Sequence, residues 1–120
     1  MIVAGFGFRK GATAGSLRNA LERFEVAPDR VATATAKACA APFVEMARGL
    51  SLCPVAVPAQ DLASAHVLTI SPASLAQYGT GSVAEAAALA AAGPGARLLG
   101  ARQISHDRMA TCAIAIGETK

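Results

Sequence analysis

Short apolar runs of strand length alternate with stretches of helical period along most of this chain, and glycine or proline stands at most of the junctions. Alternation of this kind joins parallel strands through helical crossovers, so it commits the chain to the α/β class. Residues 2–8 are rich in strand formers and run into Arg9-Lys10-Gly11. Thr13 or Ser16 then offers an N-cap, and Leu17, Ala20, Leu21 and Phe24 recur at helical spacing before Pro28-Asp29 ends the helix. Residues 31–35, Val-Ala-Thr-Ala-Thr, alternate as a second strand that leads to Lys37. Pro42 suits the first turn of a second helix, which Gly49 is expected to stop, and residues 52–57 form a third strand closed by Pro58.

Beyond that point the pattern loosens. Residues 61–65 predict a short helical turn, Ser71-Pro72 caps another short helix through Gln77, and Tyr78-Gly79-Thr80-Gly81 is a loop. Residues 82–92 predict a helix terminated by Gly93-Pro94-Gly95. Residues 97–104 and 109–116 are two further strands joined by Ser105-His106-Asp107-Arg108. So short a connection makes an antiparallel pair, because a parallel one needs a crossover of a dozen or more residues. The expected architecture is therefore a single domain over residues 1–120: a mixed, largely parallel sheet with flanking helices and a C-terminal antiparallel strand pair.

Composition narrows what such a domain does. The apolar fraction is 53%, but alanine supplies much of it, aromatic residues are only 4% and tryptophan is absent. Alanine favours helix and permits close packing while contributing little apolar area, which predicts a tightly packed interior. The apolar run from Val83 to Ala92 is interrupted by Glu85 and falls short of the roughly 20 residues that span a bilayer, so no membrane association is expected. Arg9-Lys10 follows the first apolar stretch, the reverse of a secretory signal, and the expected location is the cytoplasm. Cys39, Cys53 and Cys112 are widely spaced and form no C-x-x-C pair, which indicates neither a zinc site nor a disulfide framework; at least two are expected as buried hydrophobes. The net charge is +3, without a contiguous basic block or aromatic interleaving, a poor match to a nucleic-acid platform. Eight of the eleven basic residues are arginines, whose forks pair with carboxylate or phosphate, so the partner class that fits is a small multi-anionic ligand; the plainer reading is a solvated surface.

Gly5-Phe6-Gly7-Phe8-Arg9-Lys10-Gly11 is the first candidate for such a ligand. Glycines at a strand's carboxyl end let the backbone approach a ligand, following N–H groups face an anion, and open α/β sheets bind at this edge. It is not the dinucleotide fingerprint: Lys10 stands where the third glycine belongs, and Lys37, not an acidic residue, closes the second strand. Thr35 and Lys37 fall on the same edge as Gly7 and Arg9 if the sheet is parallel there. In Gly79-Thr80-Gly81-Ser82-Val83-Ala84-Glu85, the pair Ser82 and Glu85 has capping-box spacing, and the glycines leave the positive helix end unshielded. Tyr78 stacks on a planar ligand or covers the core. His66 and His106 show no nucleophile–base spacing with the cysteines, and His106-Asp107 reads as turn chemistry. No catalytic residue, metal site or cofactor is indicated.

Three of these segments, Gly5 to Gly11, Ala34-Thr35-Ala36-Lys37, and Gly81-Ser82-Val83-Ala84-Glu85-Ala86-Ala87-Ala88-Leu89, together resemble the family formed by CobE and the C-terminal domain of CbiG, both of cobalamin biosynthesis. The resemblance covers essentially the whole chain, whose size is nearer to CobE than to multi-domain CbiG. It implies an α/β fold and a role in acting on, or carrying, a corrin-ring intermediate; CbiG-type proteins open a lactone ring of a cobalt-precorrin and release acetaldehyde. It marks Gly7, Arg9, Gly11, Thr35, Lys37, Gly81, Ser82, Glu85 and Thr111 as residues of the functional face. Arg102 stands where the family commonly has lysine, keeping the charge without an amine nucleophile, and the acidic residue usual after Lys37 is replaced by Cys39-Ala40-Ala41. Both departures favour binding over acid–base work. The expected ligand is a precorrin or hydrogenobyrinic-acid-type tetrapyrrole, an apolar ring fringed with carboxylates that Arg9, Lys37 and Arg102 suit. The alternatives are a precorrin-modifying hydrolase or isomerase using Thr35, Ser82, Glu85 or Cys112, and a subunit that docks on another cobalamin-pathway enzyme.

Overall fold

The computed structural model describes residues 1–65, 67 and 82–117. Its elements run β1 (Ile2–Phe8), α1 (Ala14–Glu22), β2 (Arg30–Ala34), a 3₁₀ turn (Thr35–Lys37), α2 (Ala41–Leu50), β3 (Cys53–Val57), α3 (Ala59–Ser64), α4 (Val83–Ala92), β4 (Arg97–Leu98), β5 (Gln103–Ile104) and β6 (Ala110–Ile116). They form a 6-stranded sheet ordered β3-β2-β1-β6-β4, with β5 also on β6. β1, β2 and β3 are parallel neighbours. β6 pairs antiparallel with β1 from Ile2↔Ile116 to Phe8↔Ala110, and β4 and β5 are antiparallel to β6 in turn. Strand β6 alone is reversed, so the largely parallel sheet and the C-terminal antiparallel pair read from the sequence are both present.

The two faces of the sheet are built from different residues. Ala4 and Phe6 of β1, Val31 of β2 and Ile114 of β6 meet Leu17 and Leu21 of α1 and Phe43 and Met46 of α2. On the opposite face Val3, Ala32, Ala34 and Ala115 meet α4 through Val83, Ala86, Ala87, Ala88 and Ala92. Strand alternation separates the two sets. The second face is small-residued for a steric reason. A Cβ added at Gly5 would fall on the carbonyl oxygen of Ala84 and 2.5 Å from the Ala88 nitrogen. The α4 backbone thus lies directly on the sheet, and of its 10 residues Val83 through Ala88 and Ala92 are buried. A helix covered on most sides needs no apolar stripe, only residues small enough to let its neighbours in.

Several boundaries differ from the sequence reading. Thr13 is the N-cap of α1, with Ser16 as its reciprocal partner, and the helix ends at Glu22, not near Pro28. Gly49 lies inside α2; the terminator is Ser51, whose left-handed φ of 56° turns the chain out. The strand expected at 97–104 is two short pieces. Leu98 pairs with Ala115 and Gln103 with Cys112, which leaves Leu99, Gly100, Ala101 and Arg102 opposite only Ala113 and Ile114. Residues 99–102 are therefore a bulge. Only Cys112 is a buried cysteine, correcting the expectation of at least two: Cys39 lies in the turn before α2 and Cys53 faces out from the edge strand β3. The helix expected at 71–77, the loop at 78–81 and His66 lie outside the described residues. Among the described residues no helix is long and apolar enough to cross a membrane.

Candidate functional site

Helices α1 and α2 follow parallel strands and so begin at the sheet's carboxyl edge, and α4 begins there too, since Val83 lies beside Gly7 while Ala92 lies beside Gly117. Among the described residues one edge therefore gathers the starts of α1, α2 and α4, along with the short α3 that follows β3, each with backbone N–H groups and the positive end of its dipole. The β1–β6 ladder continues past Phe8 as the Arg9 N–H donates to the Met109 carbonyl at 2.8 Å. The chain then turns, with the Ala12 N–H on the Arg9 carbonyl at 3.0 Å and Gly11 at φ +98°, a conformation that favours glycine. Arg9 and Gly11 are exposed on this turn.

Beneath the turn is a polar hub. Thr13 and Ser16 cap α1 reciprocally, each backbone N–H on the other's hydroxyl at 3.1 Å. The Ser16 hydroxyl also donates to Asp107 Oδ2 at 2.6 Å, while Oδ1 accepts from the Ser105 hydroxyl at 2.6 Å and the Met109 N–H at 3.1 Å. Hydrogen bonds from Ser105, then Ser16, then the Met109 amide hold the Asp107 carboxyl below its ordinary value. Asp107 thus ties the β5–β6 turn to the start of α1. Sequence reading gave it turn chemistry alone; Ser16, its partner, lies 91 residues away.

The other expected residues divide between the two sides of the edge. Thr35 is exposed at the start of the 3₁₀ turn. Lys37 Nζ stands 5.2 Å above the centroid of Phe8, whose ring stacks on Phe43 of α2 at 6.5 Å, so Lys37 leans to the α1/α2 side. On the α4 side Gly7 is the register partner of Thr111, and the Thr111 hydroxyl donates to the Gly7 carbonyl at 3.2 Å. A Cβ at Gly7 would stand 3.0 Å from Thr111 Oγ1 and 3.5 Å from the Val83 Cβ, so the glycine admits the start of α4. Gly81 lies outside the described residues.

Ser82 and Glu85 are both fully buried. The Ser82 hydroxyl accepts from the Glu85 N–H at 3.3 Å, the first half of the expected capping box. The carboxylate departs from that reading: Glu85 Oε2 accepts from the backbone N–H of Arg102 at 2.8 Å, linking α4 to the bulge at 99–102. The chain thereby connects Arg102 to the edge that carries Gly7 and Thr111. Cys112, the register partner of Phe6, is wholly buried, and desolvation pushes its thiol well above the ordinary range, which removes it as a nucleophile. Among the described residues no group of three acidic, histidine or cysteine side chains is placed to hold a metal ion. A groove of about 730 Å³ lies near the other end of α4, between Asp61, Leu89, Gly93, Arg97 and Leu98, and includes none of the expected residues.

Residues 2–115 match the family described as "Cobalamin synthesis G C-terminus". The crystal structure of CobE, a protein from the cobalamin (vitamin B12) biosynthetic pathway, is similar with a TM-score of 0.87 and 32% identity, covering 99% of this chain and 95% of that one. The cobalamin biosynthesis protein chiG from Agrobacterium tumefaciens str. C58 is similar with a TM-score of 0.74 and 37% identity, covering 99% of this chain and all of that one. Comparison with curated protein sequences gives no match.

Proposed function

The chain belongs to the cobalamin synthesis G C-terminus family, and from that membership we propose that it binds or transfers an anionic precorrin or corrinoid intermediate at the carboxyl edge of its sheet. The observation that carries the reading is the placement of Arg9 and Lys37 on the edge where α1, α2 and α4 all begin. A corrin intermediate is a broad apolar ring fringed with carboxylates. Each carboxylate near an exposed helix start gains about 0.3–1 kcal/mol, so several such contacts together with cationic side chains are needed for tight binding. Arg9 supplies a fork for a carboxylate, and Lys37 a point charge beside the Phe8 ring. Ser82 and Glu85 are buried and Cys112 is held as a thiol in the core, so of the four polar residues weighed for hydrolysis Thr35 alone is exposed.

The test is a titration of the purified protein with hydrogenobyrinic acid and earlier precorrins, followed by visible absorbance. Tight binding without spectral conversion supports carriage, conversion of an intermediate replaces it with an enzymatic role, and no binding leaves docking on another pathway enzyme. Replacing Arg9 and Lys37 together by alanine weakens binding at low ionic strength by up to about 30-fold, as two surface pairs of up to roughly 1 kcal/mol each predict, and by less at high salt. An affinity unchanged by the double substitution at both ionic strengths removes the proposed site.

A further inference from the structure

We propose that Glu85 is a positioning residue: its carboxylate clasps the bulge at residues 99–102 and so sets where the Arg102 guanidinium stands for a carboxylate of the ligand. The ligand half of this statement rests on the reading above; the clasp rests on the fold alone.

Glu85 is 0% exposed, so it does not itself meet a ligand in solvent. Burying a carboxylate is costly unless its charge is met, and among the described residues two features of the place help to meet it. It stands in the first turn of α4, where the helix dipole favours negative charge, and it accepts a charge-assisted hydrogen bond from the Arg102 N–H at 2.8 Å. The recipient of that bond is the informative part. Bulges re-aim side chains, and this one inserts extra residues between β4 and β5 immediately before Gln103.

Among the described residues little else fixes the bulge. Its first residue is held by the Leu99 N–H on the Ile114 carbonyl at 2.8 Å. Leu99 is nevertheless 47% exposed, Ala101 is exposed, and a Cβ added at Gly100 would meet nothing within 4 Å. Packing among the described residues therefore does little to define the path from residue 99 to residue 102, and the Glu85 carboxylate holds its end. Arg102 follows as a side chain whose placement is controlled from the helix behind it. The same α4 turn packs on Gly7, so the clasp couples Arg102 to the edge that bears Thr111.

Two readouts test this. In the first, hydrogen exchange of the Arg102 amide is followed residue by residue, relative to amides of β1, in wild type, Glu85→Gln and Glu85→Ala without ligand. The clasp requires faster exchange at Arg102 in Glu85→Ala and partial restoration in Glu85→Gln, which keeps an acceptor oxygen; exchange equal to wild type in Glu85→Ala overturns it. In the second, hydrogenobyrinic acid is titrated against Glu85→Ala, Arg102→Ala and the double variant at low salt. Acting through Arg102, Glu85→Ala costs up to the same fold-change as Arg102→Ala, about fivefold for an exposed pair, and the double variant loses no more than Arg102→Ala. Losses that multiply in the double variant overturn the positioning role. If wild type does not bind the tetrapyrrole, the ligand half falls with the proposed function, and the exchange result still decides the clasp.

Discussion

At Gly5 the sheet has no side chain, and the first turns of α4 occupy the space one would need. The clash there is with backbone atoms, the Ala84 carbonyl oxygen and the Ala88 nitrogen, which do not swing aside as the end of a flexible side chain does. Gly5→Ala therefore has to lift the helix from the sheet, and a loss of about 3 kcal/mol or more in urea unfolding is the expected result, at the upper end of overpacking costs. Gly7→Ala meets Thr111 Oγ1 at 3.0 Å and the Val83 Cβ at 3.5 Å, contacts that side chains relieve, and its cost is smaller. Equal stability of Gly5→Ala and wild type contradicts the close approach. The two glycines stand in the same G-x-G stretch, and nothing in their local sequence distinguishes the one that faces helix backbone from the one that faces a threonine and a valine.

Between elements, the β5–β6 turn is tied to α1 by the polar hub at Asp107 and by the His106 N–H, which donates to Asn19 Oδ1 at 2.6 Å. The Asp107 carboxyl titrates below its ordinary value of 3.8 in the fold, so its contribution to stability is fully present above that unfolded value and is lost as pH falls through the lower folded one. Asp107→Asn is expected to be less stable than wild type at pH 7, with the gap nearly constant down to about pH 5 and closing under stronger acid. Urea unfolding of both proteins between pH 7 and pH 2.5 measures this directly; a gap independent of pH assigns the effect to shape and not to charge. The hub also explains why α1 is capped at Thr13: the serine that completes the cap is held from the other side by Asp107. Helix α4 ends as its glycine predicts, at Gly93 with φ +93°, whereas α2 runs through Gly49 and stops at Ser51. Propensity favoured Gly49 as the stop, and tertiary packing overrode it.

For the molecule as a whole, the parallel strands, the reversed β6 and the three layers place the starts of α1, α2 and α4 on one edge, and a ligand bound there contacts groups from distant parts of the chain. Such a ligand binds only the folded state and so raises its stability by mass action. Hydrogenobyrinic acid at about 100 times its dissociation constant is expected to add roughly 2.7 kcal/mol and to raise the thermal midpoint, with the increase reduced at high salt. No shift at saturating ligand contradicts the binding proposed at this edge.

The sequence by itself determined most of the described elements and their order, though not the division of 97–104 into two short strands. Period-two runs and helical spacing are properties of a few neighbouring residues, so β1, α1, β2, α2 and the antiparallel end of the chain are legible without partners. It also determined that α4 is small-residued and that Arg9 and Lys37 follow consecutive strands. Tertiary structure alone decided what those residues meet. The bulge at 99–102 exists because two pairings of β6, at Ala115 and at Cys112, are closer together on that strand than on the segment beside it. Glu85 turns to Arg102 and Ser16 to Asp107 because folding brings together groups 17 and 91 residues apart, and no local pattern carries that information. Local propensity is encoded by short-range sterics, whereas register and burial depend on which distant surfaces exclude water together.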